Sequence, residues 1–193
     1  MSFNELNTTL AFWLVMIRQN VLLSFEITAG LWVVQLVNVI TGKRLNRLGI
    51  LPRRPLGLIG IIFSPFLHAD WNHLICNTIP LILLLNLILV YGLGIYIYLT
   101  LFVMLVSGLL IWLLGRNAIH IGASGVIMGY WSFVTTMAWI TKEIIPIIIA
   151  GICMIYLWGL ALSLLPKKGE SWEGHVFGCL AGVVFAYFFI PGS

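Results

Sequence analysis

Long runs of apolar residues, separated by short polar stretches, are the dominant pattern of this chain. A helix that crosses a membrane needs about 20 consecutive, mostly apolar residues. The pattern therefore predicts an all-α protein built as a six-transmembrane-helix bundle. The predicted spans are residues 21–40, 71–91, 95–114, 124–140, 144–165 and 175–190.

Two further segments do not fit a span. Residues 4–20 are apolar but too short to cross, and they carry Trp13, a residue type enriched at headgroup depth. We therefore predict an N-terminal interfacial helix in residues 1–20 and a six-helix domain in residues 21–193. Residues 41–70 form the longest connection, and a connection of that length in a compact protein is usually functional.

The composition agrees with an integral multi-pass membrane protein. Hydrophobic residues make up 61% of the chain and charged residues 8%, which excludes a soluble domain. The net charge of +4 does not indicate nucleic-acid binding, because the cations lie between spans, where lipid headgroups are the natural partner. Cys76, Cys153 and Cys179 fall inside apolar stretches, so we predict small buried side chains and neither a disulfide nor a metal cluster.

Four polar residues stand at the beginnings of even-numbered spans. His73 and Asn77 begin the second, Ser124 the fourth and His175 the sixth. In a chain of short connections, even-numbered spans all start on one side of the membrane. These side chains should therefore share one depth, just below one surface.

These residue types at one depth favour acyl-transfer chemistry. Ser124 is a weak nucleophile unless a base takes its proton, and His175 suits that task because a histidine pKa lies near neutral pH. His73 and Asn77 are four residues apart, so a helix presents both on one face as donors for an oxyanion. Glu26 is the carboxylate within a predicted span, and it lies toward the opposite surface. Like Gln35 and Asn38 in the same span, it should face other helices or lie near an end, because a polar group that faces lipid is costly. The sequence thus predicts a Ser–His dyad without a third acid, a metal ion or an organic cofactor.

Glycines at a spacing of four flank the predicted dyad. Stripes of small residues let two helix backbones approach closely, so the fourth and sixth spans should meet. Gly122, just before the serine, should leave the approach to its hydroxyl open. The stripes consist of Gly125 and Gly129 in the fourth span and of Gly174, Gly178 and Gly182 around the sixth span's start.

Each feature alone has an ordinary structural explanation. A serine in a membrane helix often bonds its own backbone, an asparagine such as Asn77 can join two helices, and glycine stripes can mean packing alone. Their conjunction at one depth favours catalysis. His68, Asp70 and His120 are predicted as interfacial or loop hydrogen-bonders, and His68 ranks next as an orienting partner of the second span.

The arrangement resembles the rhomboid family of intramembrane serine proteases. The resemblance rests on Gly122-Ala123-Ser124-Gly125, on the pattern of residues 73–77, on residues 175–182 and on the preceding His68. It covers roughly residues 21–190. It implies that Ser124 is the nucleophile and His175 the general base, and that the Ser124 backbone N–H, His73 and Asn77 form the oxyanion hole.

The implied function is cleavage of transmembrane segments in single-span membrane-protein substrates, in the inner membrane of a bacterium. An alternative is an inactive rhomboid-like protein that binds membrane clients. A small channel or transporter would instead need a polar path through the membrane, whereas the polar residues here cluster near one face. The sequence does not predict an oligomeric state.

Some positions depart from the family pattern. The first loop has Arg53-Arg54 where many rhomboids carry a Trp-Arg pair, the third span lacks an early glutamate, and Met128 stands where a tyrosine is often found.

Two criteria for the orientation of the chain in the membrane disagree. Family precedent puts the dyad near the outer surface. The positive-inside rule puts it toward the cytoplasm, because of the ten Lys and Arg residues all but Arg18 and Lys142 lie on the dyad side.

Overall fold

The structure is a computed structural model, and it describes residues 2–162, 164–165 and 171–189, most of which are helical. Three short 3₁₀ turns occur in the first loop, at Arg44–Leu48, Pro55–Leu58 and Ser64–Phe66. The α-helices are α1 (Phe3–Ile40), α2 (Gly60–Phe63), α3 (Trp71–Val90), α4 (Leu93–Leu114), α5 (Ser124–Thr141), α6 (Ile144–Tyr156), α7 (Trp158–Leu162) and α8 (Trp172–Phe189).

The helices follow the predicted order of spans. Among the described residues, α1, α3 and α4 are long and apolar enough to cross a membrane, while α6 and α8 are shorter apolar helices. Helix α5 has 18 residues and is less apolar, because it carries serine, threonine and glycine among its apolar side chains. The chain is an all-helical integral membrane protein, and the count of six spans stays a prediction.

Helix α1 differs from the prediction for the N-terminus. A single helix of 38 residues runs from Phe3 to Ile40, so no separate interfacial helix ends near residue 20. A capping box starts it: Glu5 N–H donates to Ser2 Oγ, and Ser2 N–H donates to the Glu5 carboxylate. The polar residues 18–20 are helix-compatible, so they do not break it. The division into residues 1–20 and 21–193 stays a prediction.

Side chains on α1 correct two further expectations. Trp13 does not lie exposed at an interface but packs inside the protein against Val90 and Ile145. Gln35 and Asn38 face other helices, as predicted, and are fully buried. Glu26, which was expected to face a helix or lie near an end, is exposed well inside α1.

The cysteines also differ from expectation in one case. Cys153 is buried, Cys179 is half-buried, and Cys76 is exposed on α3. All three are free thiols. The prediction of a small buried residue is therefore wrong for Cys76, because the apolar character of its stretch reflects contact with lipid as well as contact with protein.

Helix α5 lies at the centre of the bundle. It packs against α3, α4, α6 and α8, and its most extensive contact is with α8. Its fully buried side chains include Ile127, Met128 and Phe133. The residue that begins this helix, Ser124, is therefore held by neighbours on several sides.

The first loop, residues 41–70, is anchored to the end of α4. Arg53 N–H donates to Trp112 O at 2.9 Å, and its guanidinium donates to the carbonyls of Leu113 and Gly115 at 3.2 and 2.8 Å. The last carbonyls of a helix have no partner within it, so Arg53 caps α4. The long loop is thus a packed part of the fold.

The last connection begins and ends at other residues than predicted. The charged loop expected at residues 166–174 lies, for residues 166–170, outside the described part of the chain. Helix α8 begins at Trp172, three residues before the predicted span. Glu173 therefore lies in a helix and not in a loop.

Candidate active site

The segment before Ser124 is fixed by main-chain hydrogen bonds to the first loop. Ile50 and His120 exchange two bonds, at 3.0 and 2.9 Å, and Gly122 N–H donates to Ser64 O at 2.9 Å. Such bonds hold the backbone itself in place. The first loop therefore sets where α5 begins, and with it the position of the serine.

Gly122 makes room for the His73 ring beside the Ser124 hydroxyl. Its φ of +123° is a conformation that favours glycine. A Cβ at this position would lie 2.7 Å from His73 Cε1, 2.8 Å from His73 Nε2 and 3.7 Å from Ser124 Oγ. The space that glycine leaves empty thus contains an imidazole ring and borders the serine oxygen.

His68 contacts both predicted oxyanion donors. Its Nε2 lies 3.1 Å from Asn77 Nδ2, and its ring meets the His73 ring edge-on, with centroids 5.0 Å apart. The side chain is 0% exposed, and this burial, followed by the nearby His73, lowers the pKa of His68 to about 4. A neutral His68 can accept one amide N–H of Asn77, which leaves the second for another acceptor.

Asp70 supports the same helix end. Its carboxylate accepts the backbone N–H of His73 at 2.9 Å, which makes it the N-cap of α3. This cap fixes the first turn of α3, where His73 lies. The expected loop hydrogen-bonding role of Asp70 is therefore a capping role.

The glycine stripes of α5 and α8 meet as the sequence predicted. A Cβ on Gly178 would overlap the carbonyl of Gly125, and a Cβ on Gly182 would overlap the carbonyl of Gly129. The two backbones are therefore in direct contact over two helical turns. This packing draws the beginnings of α5 and α8 together.

His175 lies in the part of α8 that touches the first turn of α5. A Cβ on Gly125 would lie 3.2 Å from Gly174 O, and Gly178 contacts the Gly125 backbone. His175, between those two glycines of α8, is buried at 7% exposure. The structure thus places it in the segment of α8 that packs beside the residue following Ser124.

A cavity opens at the serine. It encloses about 400 Å³, including its part open to solvent. Ile61, Ser64 and Pro65 of the first loop form one side, and α4, α5 and the start of α8 form the others. Its polar lining side chains are Ser64, Ser107, His120, Ser124 and Ser171. The beginning of α5 at Ser124 thus borders open space on the side of the first loop.

Sequence reasoning missed part of the surroundings. Glu173 is buried, its Oε1 lies 3.3 Å from Arg116 Nε, and it accepts the Arg116 backbone N–H at 3.4 Å. His120, predicted as a loop hydrogen-bonder, is buried and bonds Ser171. A signal for this pair existed in the spacing: a histidine four residues before Ser124 and a serine four residues before His175.

The structure thus brings the predicted residues into one region. Ser124, Gly122 and His73 adjoin one another, His68 contacts His73 and Asn77, and His175 lies on the α8 segment against α5. Their catalytic roles stay predictions.

Known proteins share this sequence pattern. The family model for the Rhomboid domain matches residues 55–192. An uncharacterized protein of Mycobacterium tuberculosis is 37% identical over 169 residues, which covers 82% of this chain and 70% of the relative. Rhomboid-like protein 11, chloroplastic, of Arabidopsis thaliana is 33% identical over 141 residues, which covers 65% of this chain and 50% of the relative. The chain therefore belongs to the rhomboid family.

Proposed function

We propose that this protein is an intramembrane serine endopeptidase of a bacterial inner membrane, and that it cleaves single-span membrane proteins. The observation that carries the proposal is the packing around Ser124. His73 lies over Gly122 next to the hydroxyl, and the glycines that flank His175 lie against Gly125, the residue after Ser124. The residues proposed as nucleophile, base and oxyanion donor thus lie on neighbouring segments.

In the proposed reaction, Ser124 Oγ attacks the scissile carbonyl while His175 takes the hydroxyl proton. His175 then gives that proton to the leaving amine, and water hydrolyses the acyl-enzyme by the same steps. The mechanism uses no metal ion and no organic cofactor. It requires that both side chains be held in one geometry, which the glycine contacts between α5 and α8 favour.

The developing oxyanion needs hydrogen-bond donors. Because α5 begins at Ser124, the backbone N–H of that residue has no partner within the helix and stands at its positive end. His73, next to the serine, and the second amide N–H of Asn77 complete the set. A neutral His68 keeps the Asn77 amide oriented.

The substrate must reach this site as an extended peptide. A helical amide is blocked by its own hydrogen bonds, so substrates should contain glycine or other helix-weakening residues near the cut. We place such a segment at the cavity between the first loop, α4 and α8, which borders Ser124.

The test is cleavage of a single-span reporter by the protein reconstituted in liposomes. Ser124→Ala and His175→Ala should each abolish cleavage while the apparent melting temperature stays near that of the wild type. Thr135→Ala is a matched control on α5, because its hydroxyl bonds the carbonyls of Trp131 and Ser132 within the helix. It should cleave like the wild type. Cleavage at wild-type rate by the Ser124 or His175 variant would refute the proposal.

A fluorophosphonate probe separates a protease from an inactive client-binding relative. A protease should be labelled at Ser124, and labelling should disappear in His175→Ala because the serine loses its base. A wild-type protein that neither takes the label nor cuts the reporter would support the client-binding alternative.

A further inference from the structure

A second serine–histidine pair lies beside the proposed dyad. His120 Nδ1 is 2.5 Å from Ser171 Oγ, and His120 Nε2 is 3.1 Å from Arg116 O. A carbonyl can only accept, so Nε2 carries the proton and donates to it. In the neutral ring Nδ1 is then an acceptor, and the Ser171 hydroxyl donates to it.

This hydrogen bond joins the two segments that lead into the dyad. His120 precedes Ser124 by four residues, and Ser171 precedes His175 by four. The bond lies in the cavity wall, and His120 is 3% exposed, so little water competes for it. It is therefore a direct tie between the loop before α5 and the beginning of α8.

Each end of the tie is attached to the main chain of its segment. The backbone of His120 is fixed to Ile50 by two hydrogen bonds. The carbonyl of Ser171 accepts the N–H groups of Gly174 and His175 at 3.0 and 3.4 Å. A displacement of Ser171 would thus move the first turn of α8, and His175 with it.

We propose that His120 and Ser171 are positioning residues, whose hydrogen bond sets the separation of the Ser124 and His175 side chains. This inference rests on the proposed function. The glycine contacts fix how closely α5 and α8 pack, whereas the His120–Ser171 bond fixes how far α8 is shifted along that contact. The pair itself does not touch the reacting atoms.

The variants His120→Asn and His120→Gln test whether Nδ1 of His120, which accepts from Ser171, is the ring atom that positions α8. The asparagine side-chain oxygen can take the place of Nδ1 and accept from Ser171. The glutamine amide reaches the place of Nε2, so it keeps the bond to Arg116 O but loses the bond to Ser171. We expect kcat to fall roughly 10- to 100-fold in His120→Gln, because a displacement of the reacting groups by about 1 Å can slow a reaction to that extent. His120→Asn should stay within about threefold of the wild type, the scale of one modest hydrogen bond.

A second pair tests the other end. Ser171→Ala should lower kcat as His120→Gln does, and Ser171→Thr, which keeps the hydroxyl, should restore it. KM should change less than kcat throughout, because the lost bond joins two protein segments and the resulting displacement acts mainly on the transition state. The double variant His120→Gln/Ser171→Ala should be no slower than the slower single variant, since both remove one bond.

The outcomes separate this inference from the proposed function. If Ser124→Ala is inactive but His120→Gln and Ser171→Ala keep the wild-type kcat, the positioning role is wrong and the protease function stands. Equal losses in His120→Asn and His120→Gln would overturn it too, because they would indicate general loop stability. If the wild type does not cleave at all, both proposals fail. Ser171→Ala, a small change, decides the question should His120→Gln not fold.

Discussion

The two ends of the helix bundle are built in different ways. At the end that contains Ser124, long connections at residues 41–70 and 115–123 pack over the helices and contain buried polar side chains such as His68 and His120. At the opposite end, two residues join α3 to α4 and two join α5 to α6. There the contacts are mainly apolar and aromatic: Trp13 packs on Val90 and Ile145 and meets Tyr91 edge-on, and a buried polar side chain, Asn86, donates to Ile17 O.

The difference shows how the fold separates stability from geometry. A buried polar group lowers stability unless it is hydrogen-bonded, whereas buried apolar groups stabilise without needing one orientation. The opposite end can therefore hold the helices together largely by burial. The serine end uses directed bonds and backbone contacts, which fix distances between particular atoms.

The largest effect is expected when a substitution adds a methyl group at the contact between α5 and α8. Gly178→Ala would push a Cβ into the Gly125 carbonyl, so the two helices must separate. We expect loss of reporter cleavage and a loss of about 1–3 kcal/mol in stability, typical of overpacking. Gly151→Ala on α6 is the matched control, since nothing lies within 4 Å of its Cβ position. An active Gly178→Ala protein would show that the close contact is not needed.

At the opposite end, Trp13→Ala should lower stability and leave catalysis intact. Removing a large buried aromatic side chain typically costs about 3–5 kcal/mol. We expect a lower apparent melting temperature, with kcat of the folded protein unchanged. Phe12→Ala, at the neighbouring position, is the control, because the Phe12 side chain is 53% exposed. A large fall in kcat for Trp13→Ala would contradict the separation of the two ends.

The serine end should also be sensitive to acid through His68. Its native pKa of about 4 is below the ordinary value of 6.5, so between those values the unfolded chain binds a proton that the native protein does not. Its contribution to stability is thus complete above pH 6.5 and falls with pH, by about 3 kcal/mol near pH 4. His68→Gln should have a flatter melting-temperature profile from pH 7 to 4. Parallel profiles for the two proteins would contradict the assignment.

The smallest effect is expected for the ion pair between Arg116 and Glu173. The arginine side chain is 40% exposed, so solvent screens its charge, and the buried Glu173 carboxylate keeps the Arg116 backbone N–H as a donor when the guanidinium is removed. Arg116→Gln should lower stability by less than about 1 kcal/mol, and the difference should shrink further in high salt. Melting curves at low and high ionic strength measure it. A loss as large as that of Trp13→Ala would show that the ion pair carries more of the fold than its exposure suggests.

The sequence predicted those parts of the molecule that helix periodicity controls. The beginning of α5 at Ser124 and the meeting of the glycine stripes follow from spacing along a regular helix. The rank given to His68 also agrees with its contact to Asn77. In these cases the relevant geometry lies within one element, or between two straight ones.

The sequence failed where the outcome depends on loops or on weak boundary signals. The bond between His120 and Ser171 joins two connections, and hydrophobic patterning does not determine how connections fold. The continuity of α1 was missed because polar residues 18–20 suggest an end, although none of them disrupts a helix. The sequence predicted a loop at Glu173 because the residue is charged, but it lies in the first turn of α8.

The main-chain bonds that join residues 50 and 120, and residues 64 and 122, have a consequence for how this region can evolve. Backbone atoms make them, so the side chains at residues 50, 64 and 120 take no part in these bonds, and proline is excluded at the donor positions. The first loop can therefore accumulate side-chain substitutions while it still delivers the serine to the same place. Mutational tolerance should be greatest at exposed loop positions such as Leu56, lower at the buried Ile50, and least at Gly122 in the connection before α5, where a φ of +123° favours glycine.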